Sequence, residues 1–117
     1  PADRRVVLLK GERTHVVTPD GGVALVASSA TPWLATAGAG DALGGVLGAL
    51  VAGRQGAVEA AGSALTPSDL AHLAATAAVV HGLAARRASR GGPFPITALV
   101  EQLPGVVRDL AVDGDAA

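Results

Sequence analysis

A single carboxylate, Asp41, lies within the glycine-rich apolar stretch LATAGAGDALGGVLGALVAG, which spans Leu34 to Gly53. Three structures can explain a lone charge there: a membrane helix, a generic glycine-rich turn, or an anion-binding loop with a catalytic acid at a helix start. Gly38 and Gly40 favour the third, because they let the backbone turn its N–H groups to one side. The first turn of a helix adds unpaired donors and a partial positive charge. We therefore expect an anion site that needs no lysine.

The competing explanations each fail on a feature of the sequence. In a membrane span Asp41 would cost roughly 2.5–3.5 kcal/mol, and no Lys or Arg flanks the N-terminal side of the stretch. A dinucleotide-binding fingerprint needs a third glycine where Leu43 stands, and a Walker loop needs a following Gly-Lys-Ser/Thr. A role for Asp41 as an N-terminal capping residue stays open, because carboxylates favour helix starts.

Composition and charge exclude several classes of protein. The chain has 117 residues, enough for one domain or part of one. Its formal net charge is −1 with both signs spread along the chain, which argues against nucleic-acid binding. It has no cysteine, so disulfides and thiolate metal sites are excluded. Because it begins at Pro1 and contains no methionine, we expect part of a longer product. The start Pro1–Arg5 is polar and the apolar run after it is short, so we expect no signal peptide and a location in the cytoplasm.

The first part of the chain has the pattern of strands. The run Arg5–Lys10 is rich in Val and Leu, which predicts a parallel strand buried on both faces. Two further β-prone runs are separated by Pro19-Asp20-Gly21-Gly22, a turn in which proline presets φ and glycine accepts positive φ. Residues Thr14–Ala27 are therefore predicted to form a β-hairpin.

Helices are predicted after the loop Ser28–Thr36. The first covers Gly40–Ala52, and its Leu and Val side chains are expected to fill the core while its glycines leave a flat face for close packing. The second covers Pro67–Arg87, with Thr66 as N-cap and an aspartate three residues later. The third begins near Thr97 and is predicted to break or kink at a proline seven residues on.

The other ionisable residues have ordinary explanations. Lys10, the only lysine, is either a charge at a strand end or part of a binding site. The three histidines are not spaced as a metal set, so we expect structural or exposed roles for them, and the arginines after the second helix fit a solvated helix end. These residues are His15, His72, His81, Arg86, Arg87 and Arg90.

Two motifs together resemble a known family. TAGAGDALGGVLGALVAG is similar to the T-x-G-x-G-D-x-L-x-G segment of the ribokinase-like superfamily, and VVLLKGERTHVV lies at the matching distance upstream. In this combination the chain most resembles the ADP/ATP-dependent NAD(P)H-hydrate dehydratases. AAVVHGLAA and ITALVEQLPGVVRDL are similar to the family's last two helices. The resemblance covers essentially all of residues 1–117, but only the C-terminal portion of such a domain.

The resemblance implies an α/β, ribokinase-like fold, in which this chain is part of a central, mostly parallel sheet flanked by helices, with a β-hairpin. It implies that Gly40 gives a backbone N–H to the nucleotide phosphate, beside Gly38, and that Asp41 faces the hydrated nicotinamide and acts as general base. The segment that would line the nucleotide site consists of Lys10, Gly11, Glu12, Arg13 and Thr14. Mg²⁺ is expected with the ADP or ATP, although no cluster of carboxylates marks a metal site.

The implied substrate is hydrated NADH or NADPH. The nucleotide phosphorylates the hydroxyl of the hydrate, and loss of phosphate restores the coenzyme. In this family the domain is often fused to an epimerase, and we expect a homo-oligomer. A sugar or vitamin kinase of the same superfamily is the nearest alternative, although such kinases usually have an Asp where Leu34 and Ala35 stand. The other alternative is that the chain is a non-catalytic remnant of such a domain. Trp33 replaces a small residue of the relatives, and we expect residues 1–117 alone to be inactive.

Overall fold

The computed structural model describes residues 5–10, 13–20, 23–27 and 31–116. In this part of the chain a small three-stranded sheet precedes three long α-helices, with a short 3₁₀ turn between them. The elements are β1 (Val7–Leu9), β2 (Thr14–Val17), β3 (Val23–Ala27), the 3₁₀ turn (Pro32–Leu34), α1 (Ala39–Ala60), α2 (Pro67–Ser89) and α3 (Ile96–Ala116).

The sheet is an antiparallel meander with the strand order β1-β2-β3. Val16 of β2 pairs with Leu8 on one side and with Leu25 on the other, and a register irregularity follows it at Val17. The predicted hairpin Thr14–Ala27 is therefore confirmed. Its turn includes Pro19 and Asp20, as the Pro-Asp sequence indicated.

The sequence predicts β1 as a parallel strand buried on both faces, whereas in the described part of the chain it pairs antiparallel with β2 and one of its faces is exposed. Val7 and Leu9 are 45% and 53% exposed, whereas Val6 and Leu8 pack against the interior. The connection to β2 is short, so the chain must reverse, whereas a parallel neighbour requires a crossover of about a dozen residues or more. No parallel pairing occurs among the strands of the described residues, and the mostly parallel sheet is not seen in this part of the chain.

The first helix is longer than predicted. α1 begins at Ala39 and continues to Ala60, whereas the sequence predicted that this helix ends at Ala52. Burial of Val58 holds the last turns against the interior, and Gln55 donates a hydrogen bond of 2.6 Å to Glu59 one turn later. These interactions offset the cost of the glycines in this part of the helix.

The other two helices begin where the sequence indicated. α2 starts with a complete capping box, in which the Thr66 hydroxyl accepts from the N–H of Asp69 and the Asp69 carboxylate accepts from the N–H of Thr66. α3 is one continuous helix, so the predicted break at Pro104 is wrong. Pro104 removes one N–H from the bonding pattern. Val100, whose carbonyl loses that partner, is 49% exposed, so water can bond there.

The interior is built around α2, which packs against α1, α3 and the sheet. Its buried face is mostly alanine, and such small side chains let neighbouring elements approach closely. One buried cluster joins α2 to α3, and a second joins α2 to the sheet. The first contains Val80, Ala84, Ala85, Phe94, Leu99 and Val106, and the second contains Val16, Ala71 and Ala74.

The outer face of α1 differs from its expected role. A Cβ placed on Gly44 or on Gly48 would meet no atom within 4 Å, so these glycines are not at a close contact in the described part of the chain. The expected flat packing face is therefore open to solvent. The opposite side of α1 does face the interior, with Leu43 buried and Val46 and Leu47 packed against the two clusters. None of the described helices combines the length and the hydropathy that a membrane span needs.

Candidate functional site

The turn before α1 requires glycine at one position. Gly38 is the N-cap residue and adopts φ +87°, in the left-handed region that side chains disfavour. A Cβ at this position would also come within 3.2 Å of the Ile96 side chain of α3. The close approach of α3 and the positive φ together explain the first glycine of the Gly-Ala-Gly-Asp motif.

The start of α1 presents backbone donors. The N–H of Ala39 bonds to the carbonyl of Thr36 at 3.3 Å, and the N–H of Ala42 bonds to that of Gly38 at 3.0 Å. The N–H groups of Gly40 and Asp41 lie between these two and have no acceptor among the described residues. Free donors at the positive end of a helix are suited to an anion such as phosphate.

The ammonium of Lys10 lies at the same place. Its Nζ atom is 2.7 Å from the position that a Cβ on Gly40 would occupy, so the second glycine of the motif leaves the space that the lysine fills. Lys10 directly follows β1, and Gly40 is in the first turn of α1. The structure thus brings together two residues that the sequence predicted to share a site. A positive side chain is added to the backbone donors.

Asp41 is not a cap. It stands at the third position of α1, as Asp69 does in α2, and the two aspartates behave differently. Asp69 bonds to the backbone of Thr66, and these bonds lower its pKa. Asp41 is exposed and makes no hydrogen bond or ion pair with the described residues, and the N-cap Gly38 has no side chain to bond back. Asp41 therefore makes no capping hydrogen bond of the kind that Asp69 makes, and its exposed carboxylate lies in the first turn, at the positive end of the helix.

A histidine that the sequence analysis treated as structural or exposed also reaches this turn. His81 of α2 is only 5% exposed, and its Nε2 atom is 2.9 Å from the carbonyl oxygen of Ala39, the first residue of α1. Burial lowers the pKa of His81, nearby Lys10 lowers it further, and the bond to Ala39 acts in the opposite direction. The position of His81 on the alanine face of α2 was a signal for burial, but nothing in the sequence indicated its partner.

The remaining predicted nucleotide residues are only partly described. Gly11 and Glu12 lie outside the described residues. Arg13 is exposed beside the sheet, and Thr14 is the half-buried first residue of β2. Their roles stay predictions. Trp33 lies in the 3₁₀ turn that leads to the loop and is 48% exposed.

No metal centre is built from the described residues, since none of their His, Asp and Glu side chains form a group of three or more. His72 instead donates from Nδ1 to the carbonyl of Ser68 in its own helix, at 2.8 Å. The arginines at the end of α2 are exposed as predicted, and Arg87 pairs with Asp109 of α3 at 2.6 Å on the surface. Exposed pairs of this kind contribute little to stability.

Comparison with known proteins agrees with these motifs. The model of the NAD(P)H-hydrate dehydratase family matches residues 3–103. The chain belongs to the NAD(P)H-hydrate dehydratase family. The resemblance stated from the sequence is thereby confirmed.

One relative is the bifunctional NAD(P)H-hydrate repair enzyme Nnr of Moorella thermoacetica. It is 38% identical over 108 residues, which cover 90% of this chain and 18% of that protein. The chain thus spans less than a fifth of the length of that relative. No solved structure matches the chain.

Proposed function

We propose that this chain is the C-terminal portion of a ribokinase-like domain that dehydrates hydrated NADH or NADPH with consumption of ADP or ATP. One observation supports this most directly. The ammonium of Lys10 lies beside Gly40, at a helix start whose donors and whose Asp41 have no partner among the described residues, in a chain that belongs to the dehydratase family. An anion site and a free carboxylate next to each other are what phosphoryl transfer to a hydroxyl group requires.

The anion site is proposed to hold a nucleotide phosphate. The N–H groups of Gly40 and Asp41 lie at the positive end of α1, and Lys10 adds a positive charge beside them. Hydrogen bonds between ionised partners are about twice as strong as neutral ones. The segment from Lys10 to Thr14, including Gly11, Glu12 and Arg13, is proposed to follow the rest of the nucleotide.

Asp41 is proposed as the general base. The bound nucleotide supplies the phosphoryl group that turns the hydroxyl of the hydrate into a leaving group. Asp41 accepts the proton of that hydroxyl, and a positioned base of this kind contributes about 10²–10⁴ in rate. The N–H groups and Lys10 stabilise negative charge on the transferring phosphoryl group. Because the described residues hold no cluster fit for Mg²⁺, we assign no step to a metal ion.

We base the proposal that this chain is part of a larger domain on the edge of β1 that has no neighbouring strand among the described residues. Among the described residues β1 is an edge strand that pairs with β2, and the side chains Val7 and Leu9 on one of its faces are about half exposed. The backbone groups on the open edge of β1 are suited to pairing with a further strand, as in the mostly parallel sheet of the ribokinase-like fold, and the exposed apolar face is suited to cover by another element. The relative's name, a bifunctional repair enzyme, supports our expectation of a fused epimerase domain.

The proposed reaction can be measured directly. The full protein that contains this chain is incubated with hydrated NADH and either ADP or ATP, and the absorbance of the restored dihydronicotinamide is followed. We expect restoration that depends on one of the two nucleotides, and none without a nucleotide. Phosphorylation of a sugar or vitamin alcohol, with the hydrate left intact, would instead establish the kinase alternative. No turnover of either kind would favour a non-catalytic remnant.

A further inference from the structure

His81 makes the directional contact between α2 and the start of α1. Its ring is buried in the middle of α2, and its Nε2 atom bonds to the Ala39 carbonyl at 2.9 Å across 42 positions of the chain. Most other buried residues of α2 have small apolar side chains, among them the fully buried Ala77, Ala84 and Ala85. The apolar side of α1 determines which face of the helix turns inward, and a hydrogen bond adds a preferred distance and direction that apolar packing lacks.

The chemistry of this bond determines the state of the ring. A carbonyl oxygen only accepts, so Nε2 of His81 must carry a proton and donate it to Ala39. Burial, the largest cause, and the nearby charge of Lys10 lower the pKa of His81 by more than the bond to Ala39 raises it, which favours the neutral ring. The neutral ring that donates from Nε2 has no proton on Nδ1. The structure thus implies one protonation state and one tautomer.

We propose that His81 is the positioning residue of the loop that binds phosphate and carries Asp41. The hydrogen bond from His81 to Ala39 fixes the position of the first turn of α1 along α2 and its rotation about the α1 axis. This aims the N–H groups of Gly40 and Asp41, and the Asp41 carboxylate, at the reacting groups. The inference rests on the function proposed above for that turn. Its effect on rate would be large for a residue that touches no substrate, because a misplacement of about 1 Å costs about 10²-fold.

Two substitutions separate positioning from packing. His81→Leu fills the space but removes the donor, whereas His81→Gln keeps an N–H donor on a side chain of similar reach. In the full protein we expect His81→Leu to lower kcat per folded molecule by about 10–100-fold, with a smaller change in KM for the hydrate. His81→Gln should recover most of that loss. The matched controls are His72→Leu and His72→Gln, because His72 is exposed on the same helix and bonds within it.

A second measurement does not depend on turnover. In the full protein labelled with ¹⁵N at glycine and histidine, the amide signals of Gly38 and Gly40 should shift in His81→Leu. They should move little in His81→Gln or in either His72 variant. The ring signals of wild-type His81 should show a neutral imidazole with its proton on Nε2. This measurement works even if the protein lacks dehydratase activity, so failure of the proposed function is distinguishable from failure of the inference.

Two results would overturn the inference. One is unchanged kcat per folded molecule and unchanged glycine signals in His81→Leu, which would leave His81 as a packing residue only. The other is a wild-type His81 ring that is charged at neutral pH or protonated on Nδ1 alone. That second result stands on its own if His81→Leu does not fold.

Discussion

The ammonium of Lys10 occupies the space that a side chain at Gly40 would need. Its Nζ atom is 2.7 Å from the Cβ position of that glycine. A residue next to an edge strand and a residue in the first turn of a helix are therefore matched to each other. The glycine does not serve a backbone turn, since positive φ in this loop belongs to Gly38. The lysine can be tested at either end of the contact.

Lys10→Ala should weaken nucleotide binding and leave the fold unchanged. A charge-assisted hydrogen bond contributes about 1.5–3 kcal/mol, so the Kd for ADP or ATP should rise by about 10–150-fold. Lys10 is exposed, so the melting temperature without nucleotide should change little. Isothermal titration of the full protein measures the affinity. Arg108→Ala removes an exposed cation of α3 as the control, and equal affinity in Lys10→Ala and wild type would return Lys10 to the role of a surface charge.

Gly40→Ala should reduce nucleotide affinity without loss of stability. The new methyl group displaces the Lys10 ammonium, which costs little because the lysine side chain is flexible, while alanine is a better helix former than glycine. Gly44→Ala is the matched control, because its Cβ meets nothing within 4 Å. That control should gain up to about 1 kcal/mol of stability with unchanged affinity.

The same contact predicts a strong coupling between the two ends. In the double variant, Gly40→Ala should add little to the effect of Lys10→Ala on affinity, because the lysine it displaces is already gone. Additive losses in the double-mutant cycle would mean that the two residues act separately.

Gly38→Ala should destabilise the fold more than the same change at Gly62. Both glycines have positive φ, at +87° and +75°, and a left-handed alanine costs about 1–2 kcal/mol. Only at Gly38 does the new Cβ also meet a neighbour, the Ile96 side chain at 3.2 Å. Denaturant unfolding of both variants measures the difference. Equal losses would show that Ile96 adjusts without cost.

The stability of the protein should fall as the pH drops below about 6.5, and His81 should account for this. The ordinary pKa of histidine is 6.5, and burial lowers that of folded His81. Below pH 6.5 the histidine is protonated in the unfolded chain but stays neutral in the folded chain. The free energy of unfolding therefore decreases as the pH falls, until the pH reaches the lowered pKa of folded His81. The pKa of Asp69 is lowered from its ordinary value of 3.8, so this residue affects the pH dependence of stability only in a more acidic range. Melting temperatures between pH 7.5 and 5.5 should therefore fall less in His81→Gln than in His72→Gln.

Local signals in the sequence were sufficient for the hairpin and for α2. The Pro-Asp turn before β3 and the Thr66–Asp69 capping box depend on neighbouring residues, and both form as predicted. The sequence predicted too early an end for α1, because glycine disfavours a helix locally, whereas burial of Val58 favours its last turns. The continuity of α3 through Pro104 depends likewise on packing that propensities do not contain.

The candidate site likewise has one part that the sequence predicted and one part that it did not. The anion-binding loop before Asp41 was predicted from residue types, whereas the nearness of Lys10 to Gly40 was implied only by the family resemblance. The contact between His81 and Ala39 did not, because the partner is a backbone carbonyl 42 positions away and leaves no trace in side-chain spacing. The exposure of Val7 and Leu9 was also beyond local patterns, since it depends on which element lies beside β1.

The most direct measurement compares Asp41→Asn with Asp69→Asn, two changes at the same position of two helices. Asparagine keeps the size of the side chain but cannot accept the hydroxyl proton. In the full protein, Asp41→Asn should retain its fold, bind ADP or ATP at least as tightly because a negative charge beside the anion site is gone, and lose about 10²–10⁴ in turnover of hydrated NADH. Asp69→Asn should lose stability and keep its turnover. Turnover within a few-fold of wild type in Asp41→Asn, with nucleotide binding intact, would contradict the assignment of Asp41 as the base.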